Sequence, residues 1–270
     1  MRTATSITKA VILARGLGKR MRENDASARI AAEQSAAADA GMKAMVPVGR
    51  PFLDYVLSAL ADAGFRQACL VIGPEHNAVR DYYSRLQPSR IHLGYATQEK
   101  PLGTADAVLA AETFAGSDDF LVINSDDYYP VDVLQSIQRL GHLGTVLFEA
   151  ASLVANSNIP EDRIRAFASC LIDSSGFLAD IVEKPAVENF DPAKLVSMNC
   201  WRFGTSIFAA CRDVPLSSRG EHELPLAVKM AIHRGMKLKT AISHSGVLDL
   251  SRRSDIAAVA ERLKNVQVAL

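Results

Sequence analysis

The chain has 270 residues, and its 30 Lys and Arg are matched by 30 Asp and Glu. At 49% apolar and 22% charged its composition is globular rather than disordered, and folding at this length removes roughly 70–75% of the unfolded surface from water, enough for one large core or two modest ones. A formal charge of zero argues against nucleic acid or an anionic membrane as the main partner, and no apolar run approaches the roughly 20 residues that span a bilayer.

The first half alternates strand and helix signals. Lys9–Ala14 is a short apolar run ending at glycines. Residues 23–41, rich in alanine and closed by Gly41, read as a surface helix or mobile flap. Phe52–Gly64 places Phe52, Val56, Leu57 and Leu60 at helical spacing, Ala68–Gly73 is a second buried strand, and His76–Leu86 is a helix. Ile91–Ala96, Thr104–Phe114 and Phe120–Ile123 continue as strand, helix and strand. Apolar strands separated by helices of about ten residues imply βαβ units, and so an α/β fold with helices on both faces of a mostly parallel sheet. Ligands of such sheets bind beyond the C-terminal ends of the strands, which singles out the segments after Ala14 and Ile123.

The second half is less regular. Gly144–Ala151, Ile164–Ile172 and Phe177–Val182 read as strands, Leu195–Phe208 has strand character, and Leu238–Ile242 is a short strand. Leu224–His233 and Ser254–Val266 are helical. With no Pro/Gly/Ser-rich linker, residues 1–270 read as a single domain with two lobes, 1–130 and 131–270. Cys69, Cys170, Cys200 and Cys211 lie far apart without a Cys-x-x-Cys, which fits reduced buried thiols. No apolar run of signal-peptide length follows Arg2 and Lys9, so a cytoplasmic enzyme is expected.

The strongest single feature is Leu13-Ala-Arg-Gly-Leu-Gly-Lys-Arg-Met21, directly after the first strand. Gly16 and Gly18 let backbone N–H groups approach a phosphate, and Lys19 and Arg20 add charge. A dinucleotide fingerprint would need glycine where Met21 stands, and the Lys-Ser/Thr of a P-loop is missing. The turn suits a triphosphate, although a bare structural turn has the same look.

Further segments follow in order: Lys43-Ala-Met-Val-Pro-Val48, Pro101-Leu-Gly-Thr-Ala105 after Gln98, Asn124-Ser-Asp126, and Glu183-Lys-Pro185. Together with the glycine turn, and over about residues 9–257, they resemble the sugar-1-phosphate nucleotidyltransferases, the glucose-1-phosphate thymidylyl- and uridylyltransferases among them. The resemblance implies a Rossmann-like nucleotide-diphospho-sugar transferase fold with a mixed, mostly parallel sheet, a nucleotide-binding lobe at 1–130 and a sugar-binding lobe at 131–270. The implied substrates are a nucleoside triphosphate and a sugar 1-phosphate, with Mg²⁺ and room for a homo-oligomer.

Carried over residue by residue, Arg20 would hold the β- and γ-phosphates, Lys43 the α-phosphate region and Lys184 the sugar phosphate. Ala14, Gly16 and Gly18, with Gln98, Gly103 and Thr104, would hold the nucleotide. Glu183 and Asn199 would bind the sugar, and Asp126 with Asp249 the metal. Each has a plainer reading: Asp126 as a helix cap, Asp249 serving a helix end, Lys184 as an exposed loop charge, Asn199 as a satisfied core amide. Residues 23–41 would close over the nucleotide.

The implied chemistry matches the residue types. The acceptor phosphate oxygen, already anionic, attacks the α-phosphorus and pyrophosphate leaves in line, so positioning and charge neutralisation replace acid–base catalysis. Departures fall at the base and sugar: Arg15 and Lys19 in the turn, Ser125 before Asp126, Asp127 after it, and Ala168. Arg15 and Lys19-Arg20 also resemble sialic-acid cytidylyltransferases. Two rival readings are a non-catalytic nucleotide-sugar sensor and a metal-dependent glycosyltransferase using Ser125-Asp-Asp127.

Overall fold

The computed structural model describes residues 6–23, 25, 28, 30–182 and 191–270. Its strands are β1 (Lys9–Leu13), β2 (Gln67–Ile72), β3 (His92–Thr97), β4 (Phe120–Asn124), β5 (Asp127–Tyr128), β6 (Gly144–Glu149), β7 (Ser169–Ile172), β8 (Leu178–Val182), β9 (Leu195–Phe203), β10 (Lys239–Ser243) and β11 (Leu248–Asp249). Its helices are α1 (Lys19–Arg22), α2 (Ala32–Asp39), α3 (Phe52–Asp62), α4 (Asn77–Leu86), α5 (Thr104–Ala110), α6 (Glu112–Ala115), α7 (Val131–Arg139), α8 (Ala150–Asn156), α9 (Glu161–Arg165), α10 (Ile207–Asp213), α11 (Leu224–His233) and α12 (Asp255–Leu263). None is long and apolar enough to cross a membrane among the described residues.

The central sheet has the order β10-β6-β9-β4-β1-β2-β3. β4, β1, β2 and β3 run parallel, β9 enters antiparallel between β4 and β6, and the β7–β8 hairpin hangs from β9. Strand alternation sends Ala10 and Ile12 of β1 into one core and Val11 and Leu13 into another. The first is filled by α3, whose residues Phe52 to Ala61 are all buried, and by α7 and α12; the second by α5, α10 and α11. Each large aliphatic side chain so buried contributes about 1.5–3 kcal/mol, so the two-sided burial fixes the register of β1.

That register positions the site. Leu13 lies opposite Asn124 and Ile72 opposite Thr97, so parallel strands end level and release Ala14–Arg20, Ser125–Asp126 and Gln98 at one edge. β11 then pairs with β5, setting Asp249 opposite Asp127.

Several boundaries differ from the sequence expectations. Ile164 and Arg165 belong to α9, so the strand begins only at Ser169. Ala150 and Ala151 open α8 directly after β6, and Ile207 and Phe208 open α10 after the Gly204–Ser206 turn, with Ala150, Ile207 and Phe208 buried on a helix face. Thr104–Phe114 breaks at Ala111 into two helices, and α7 and the two-residue strands carried no expectation. The four cysteines are buried as thiols, and burial pushes those of Cys69 and Cys211 up to about 12.

Within residues 23–41 the structure forms the surface helix α2. Ala38 is fully buried, and Gln34 binds the backbone twice, accepting from Ala31 N–H and donating to Pro47 O at 2.8 Å. Arg253, only 5% exposed, donates to Glu23 O at 3.0 Å and Ser35 Oγ at 3.2 Å and pairs with Asp39. Hydrogen bonds from a charged donor contribute roughly 1.5–3 kcal/mol. Replacing Arg253 by Met should therefore speed amide exchange across Ala32–Asp39 by roughly tenfold to a hundredfold, read by hydrogen-exchange mass spectrometry.

Candidate active site

A cleft of about 650 Å³ opens at the C-terminal edge of the parallel strands and collects Gly16, Gly18, Arg20, Lys43, Gln98, Gly103, Thr104 and Asp126. Gly16 faces open space, whereas Gly18 is packed: its φ is +60°, and a Cβ there would lie 2.5 Å from Gly41 O. Met21, fully buried, anchors α1 in the first core and leaves Arg20 exposed on the other side. Ala14 donates its N–H to Val71 O at 2.9 Å, so only its carbonyl can serve a ligand.

Arg15, one of the departures, is buried rather than projecting from the turn. It pairs with Glu75 at 2.8 Å and donates from Nε to Gln98 O at 3.2 Å, lying where a side chain on Gly73 would clash. Gln98 engages both amide hydrogens, on Gly103 O at 3.0 Å and Asp106 Oδ2 at 2.7 Å. Its amide nitrogen thus braces the cleft wall, while the side chain still lines the cleft beside Gly103 and Thr104. Thr104 Oγ1 accepts the Leu224 N–H at 2.8 Å, leaving its own proton to donate.

Gly103 is held against the 222–224 segment. Its φ of +119° belongs almost exclusively to glycine, and a Cβ would lie 2.5 Å from His222 O. Gly103→Ala should destabilise the fold by roughly 1–3 kcal/mol from backbone strain alone. In thermal melts this is a fall of roughly 2–4 °C per kcal/mol for a protein of this size class.

Lys43 enters from a 3₁₀ turn at Lys43–Met45, and its Nζ lies 2.8 Å from Asp126 Oδ2. Burial alone would lower the ammonium's pKa, but Asp126, with Asp249 beyond it, outweighs burial and raises it. The backbone of Asp126 accepts Leu250 N–H at 2.8 Å, which brings Asp249 alongside. Burial first, then the charge of Asp126, pushes the Asp249 carboxyl up, while Arg163 and Ser251 pull it down. Asp127 turns away from the cleft into the core, where Asn124 Nδ2 donates to it at 3.0 Å. Burial, then Asp126 and Asp249, push its carboxyl well above the ordinary range. Asp126 and Asp127 thus face opposite ways, unlike a ligand pair of the Asp-x-Asp kind.

The residues present fit a divalent cation. Asp249 Oδ1 is buried with no hydrogen-bond partner, and the Asp126 carboxylate, close enough to push the Asp249 carboxyl up, would offer a second hard oxygen. No cluster of three or more His, Cys, Asp or Glu is assembled among the described residues, so two carboxylates would need substrate oxygens to complete a shell. Magnesium is commonly held that way.

A second cleft of about 580 Å³ adjoins the first, and Arg20 and Arg219 line both. It contains Asn199 and Ala168, together with Arg163 and Arg252. Asn199 has φ +58°, unusual for a side-chain-bearing residue, at an irregularity where β9 shifts register against β6. The bulge turns its amide toward the cleft, with Oδ1 accepting from Trp201 Nε1 at 3.2 Å. Glu183 and Lys184 lie outside the described residues. The sequence alone does not single out Arg163, Arg219 and Arg252, which sit in polar turns and a short helix without apolar periodicity.

A cationic cleft at a strand edge, opening past a shared arginine into a second cleft, is the equipment of an enzyme that moves a phosphate-linked group between two ligands. Over residues 9–263 the chain matches the nucleotidyl transferase family, and it belongs to that family. It is 25% identical over 257 residues to a UTP–glucose-1-phosphate uridylyltransferase of Haloferax volcanii, covering 95% of this chain and 96% of the relative. It is 27% identical over 255 residues to a glucose-1-phosphate thymidylyltransferase of Streptomyces griseus, covering 93% of this chain but 64% of that protein. The fold is similar to that of a UDP-glucose pyrophosphorylase complexed with UDP-glucose, with a TM-score of 0.74 at 18% identity, covering 97% of this chain and 100% of the other. A UDP-glucose pyrophosphorylase from Acinetobacter baumannii gives the same TM-score at 20% identity, covering 97% and 95%.

Proposed function

We propose that this nucleotidyl transferase moves a nucleotidyl group from a pyrimidine nucleoside triphosphate to a sugar 1-phosphate, releasing pyrophosphate and forming a nucleotide sugar. The observation that carries the reading is the continuity of the two clefts across Arg20, with Lys43 and Asp126 at the floor of the first. The names of the uridylyl and thymidylyl relatives support the sugar 1-phosphate and the pyrimidine.

In this reading the triphosphate lies along Gly16–Arg20 in the 1–130 lobe. Arg20 meets the β- and γ-phosphates with a planar two-pronged donor, and Lys43 turns from Asp126 to the α-phosphate as a point charge. The 131–270 lobe holds the acceptor, Asn199 on the sugar, with Glu183 on hydroxyls and Lys184 on the phosphate as the motif Glu-Lys-Pro implies. Asp126 and Asp249 would hold magnesium. When bound, it supplies positive charge across the reacting phosphate and the leaving pyrophosphate. No side chain needs to take a proton, because the attacking oxygen is already ionised.

A pyrophosphate-release screen crossing the nucleoside triphosphates with a panel of sugar 1-phosphates tests the proposal. Release with a pyrimidine triphosphate and a hexose 1-phosphate is expected. Nucleotide-sugar binding without release from any pair would make the protein a sensor.

A further inference from the structure

The main chain at Asp249 is fixed twice. β11 pairs with β5, and Asn158 clamps the residue by accepting Asp249 N–H at 2.9 Å and donating to Asp249 O at 2.8 Å. The carboxylate needs a separate support, and Arg163 provides one. Its Nη2 forms an ion pair with Asp249 Oδ2 at 2.9 Å, outside hydrogen-bond geometry and beside the Ser251 side chain, and its Nη1 donates to Asp255 Oδ1 at 2.7 Å. Asp255 is fixed in turn, because its Oδ2 accepts the Ser251 and Arg252 N–H groups at 3.0 and 2.8 Å. The side chains of Arg163, Asp249 and Asp255 are 9%, 10% and 7% exposed, so water offers little alternative solvation.

The two oxygens of Asp249 are thereby made unequal. Oδ2 faces a guanidinium, while Oδ1 is buried with no hydrogen-bond partner. Resting on the reading that Asp126 and Asp249 hold the cation, we propose that Arg163 is a positioning residue that commits Asp249 to one-oxygen ligation. Occupying Oδ2 leaves Oδ1 alone to bind, and it fixes the direction in which that oxygen points. One-oxygen carboxylates suit magnesium, which demands a compact octahedral shell, and disfavour calcium, which takes more oxygens and accepts two from one carboxylate. A lysine could not replace the fork, since a single nitrogen cannot reach both carboxylates from two directions.

Mn²⁺ binding to the protein, without nucleotide and with a non-hydrolysable triphosphate bound, followed by electron paramagnetic resonance with Mg²⁺ and Ca²⁺ as competitors, tests this. Supporting groups of this kind typically change metal affinity by about 10–100-fold. Arg163→Met should weaken Mn²⁺ binding by that factor and raise the competition by Ca²⁺ relative to Mg²⁺. A purely structural role would lower the melting temperature without moving the Ca²⁺-to-Mg²⁺ ratio. Arg163→Lys keeps the buried charge and serves where the methionine variant does not fold; it should show the same shift, several-fold in size. Wild-type Mn²⁺ affinity and ion ratio in the folded variant overturn the proposal. If Asp249→Asn also leaves Mn²⁺ binding unchanged, or the wild type binds none in the millimolar range in either form, the carboxylate-pair reading fails instead.

Discussion

Asp126→Asn should reduce turnover by about a thousandfold or more, a barrier increase of at least about 4 kcal/mol, with the fold nearly intact. The asparagine has the same shape and can still accept from Lys43, whose Nζ lies 2.8 Å away. Its backbone carbonyl continues to accept the Leu250 N–H, so β5 and β11 stay together. What disappears is one negative charge beside the unpartnered oxygen of Asp249. Steady-state turnover and a thermal melt measured together separate the effects. Retention of more than roughly a tenth of the wild-type rate, a change under about 1.4 kcal/mol, removes Asp126 from the metal site.

Arg20→Ala should lower kcat by roughly 2–4 kcal/mol of barrier, about 30-fold to 1000-fold, if Arg20 behaves as other preorganised electrostatic groups do. Charge on pyrophosphate grows as it departs, so the interaction strengthens toward the transition state rather than only in the bound substrate. Arg20 is exposed, and its removal should leave stability within about 0.5 kcal/mol. Lys184→Ala should instead raise KM for the sugar phosphate and spare triphosphate binding if, as proposed, the two cations serve different substrates. Kinetics with each substrate varied in turn distinguish them. A rise only in the triphosphate KM for both variants would misplace Lys184.

The parallel half of the sheet was legible because β1, β2 and β4 are buried on both faces and read as unbroken apolar runs. The second half was harder. There, apolar residues resume soon after a strand ends, as at Phe148–Leu153 and Phe203–Phe208, and composition alone does not mark the change from strand to helix. The cleft residues announced by glycines, Gly16, Gly18 and Gly103, came through, because turns and close backbone contacts restrict the residue type. Gln98 lies in the same cleft, and its bonds to Gly103 and Asp106 are invisible in the sequence because they form only when the loop closes. Arg163 had no local signal at all: its partners Asp249 and Asp255 lie far along the chain.

Asp249 reaches Asp126 only through the pairing of β11 with β5, two short strands nearly half the chain apart. So distant a closure costs conformational entropy and awaits most of the sheet, which makes the carboxylate pair one of the last features to assemble. On the ribosome, at about 5–20 residues per second, Asp126 would emerge on the order of ten seconds before its counterpart. An unfinished chain would thus have its glycine turn and Lys43 before it had the second carboxylate.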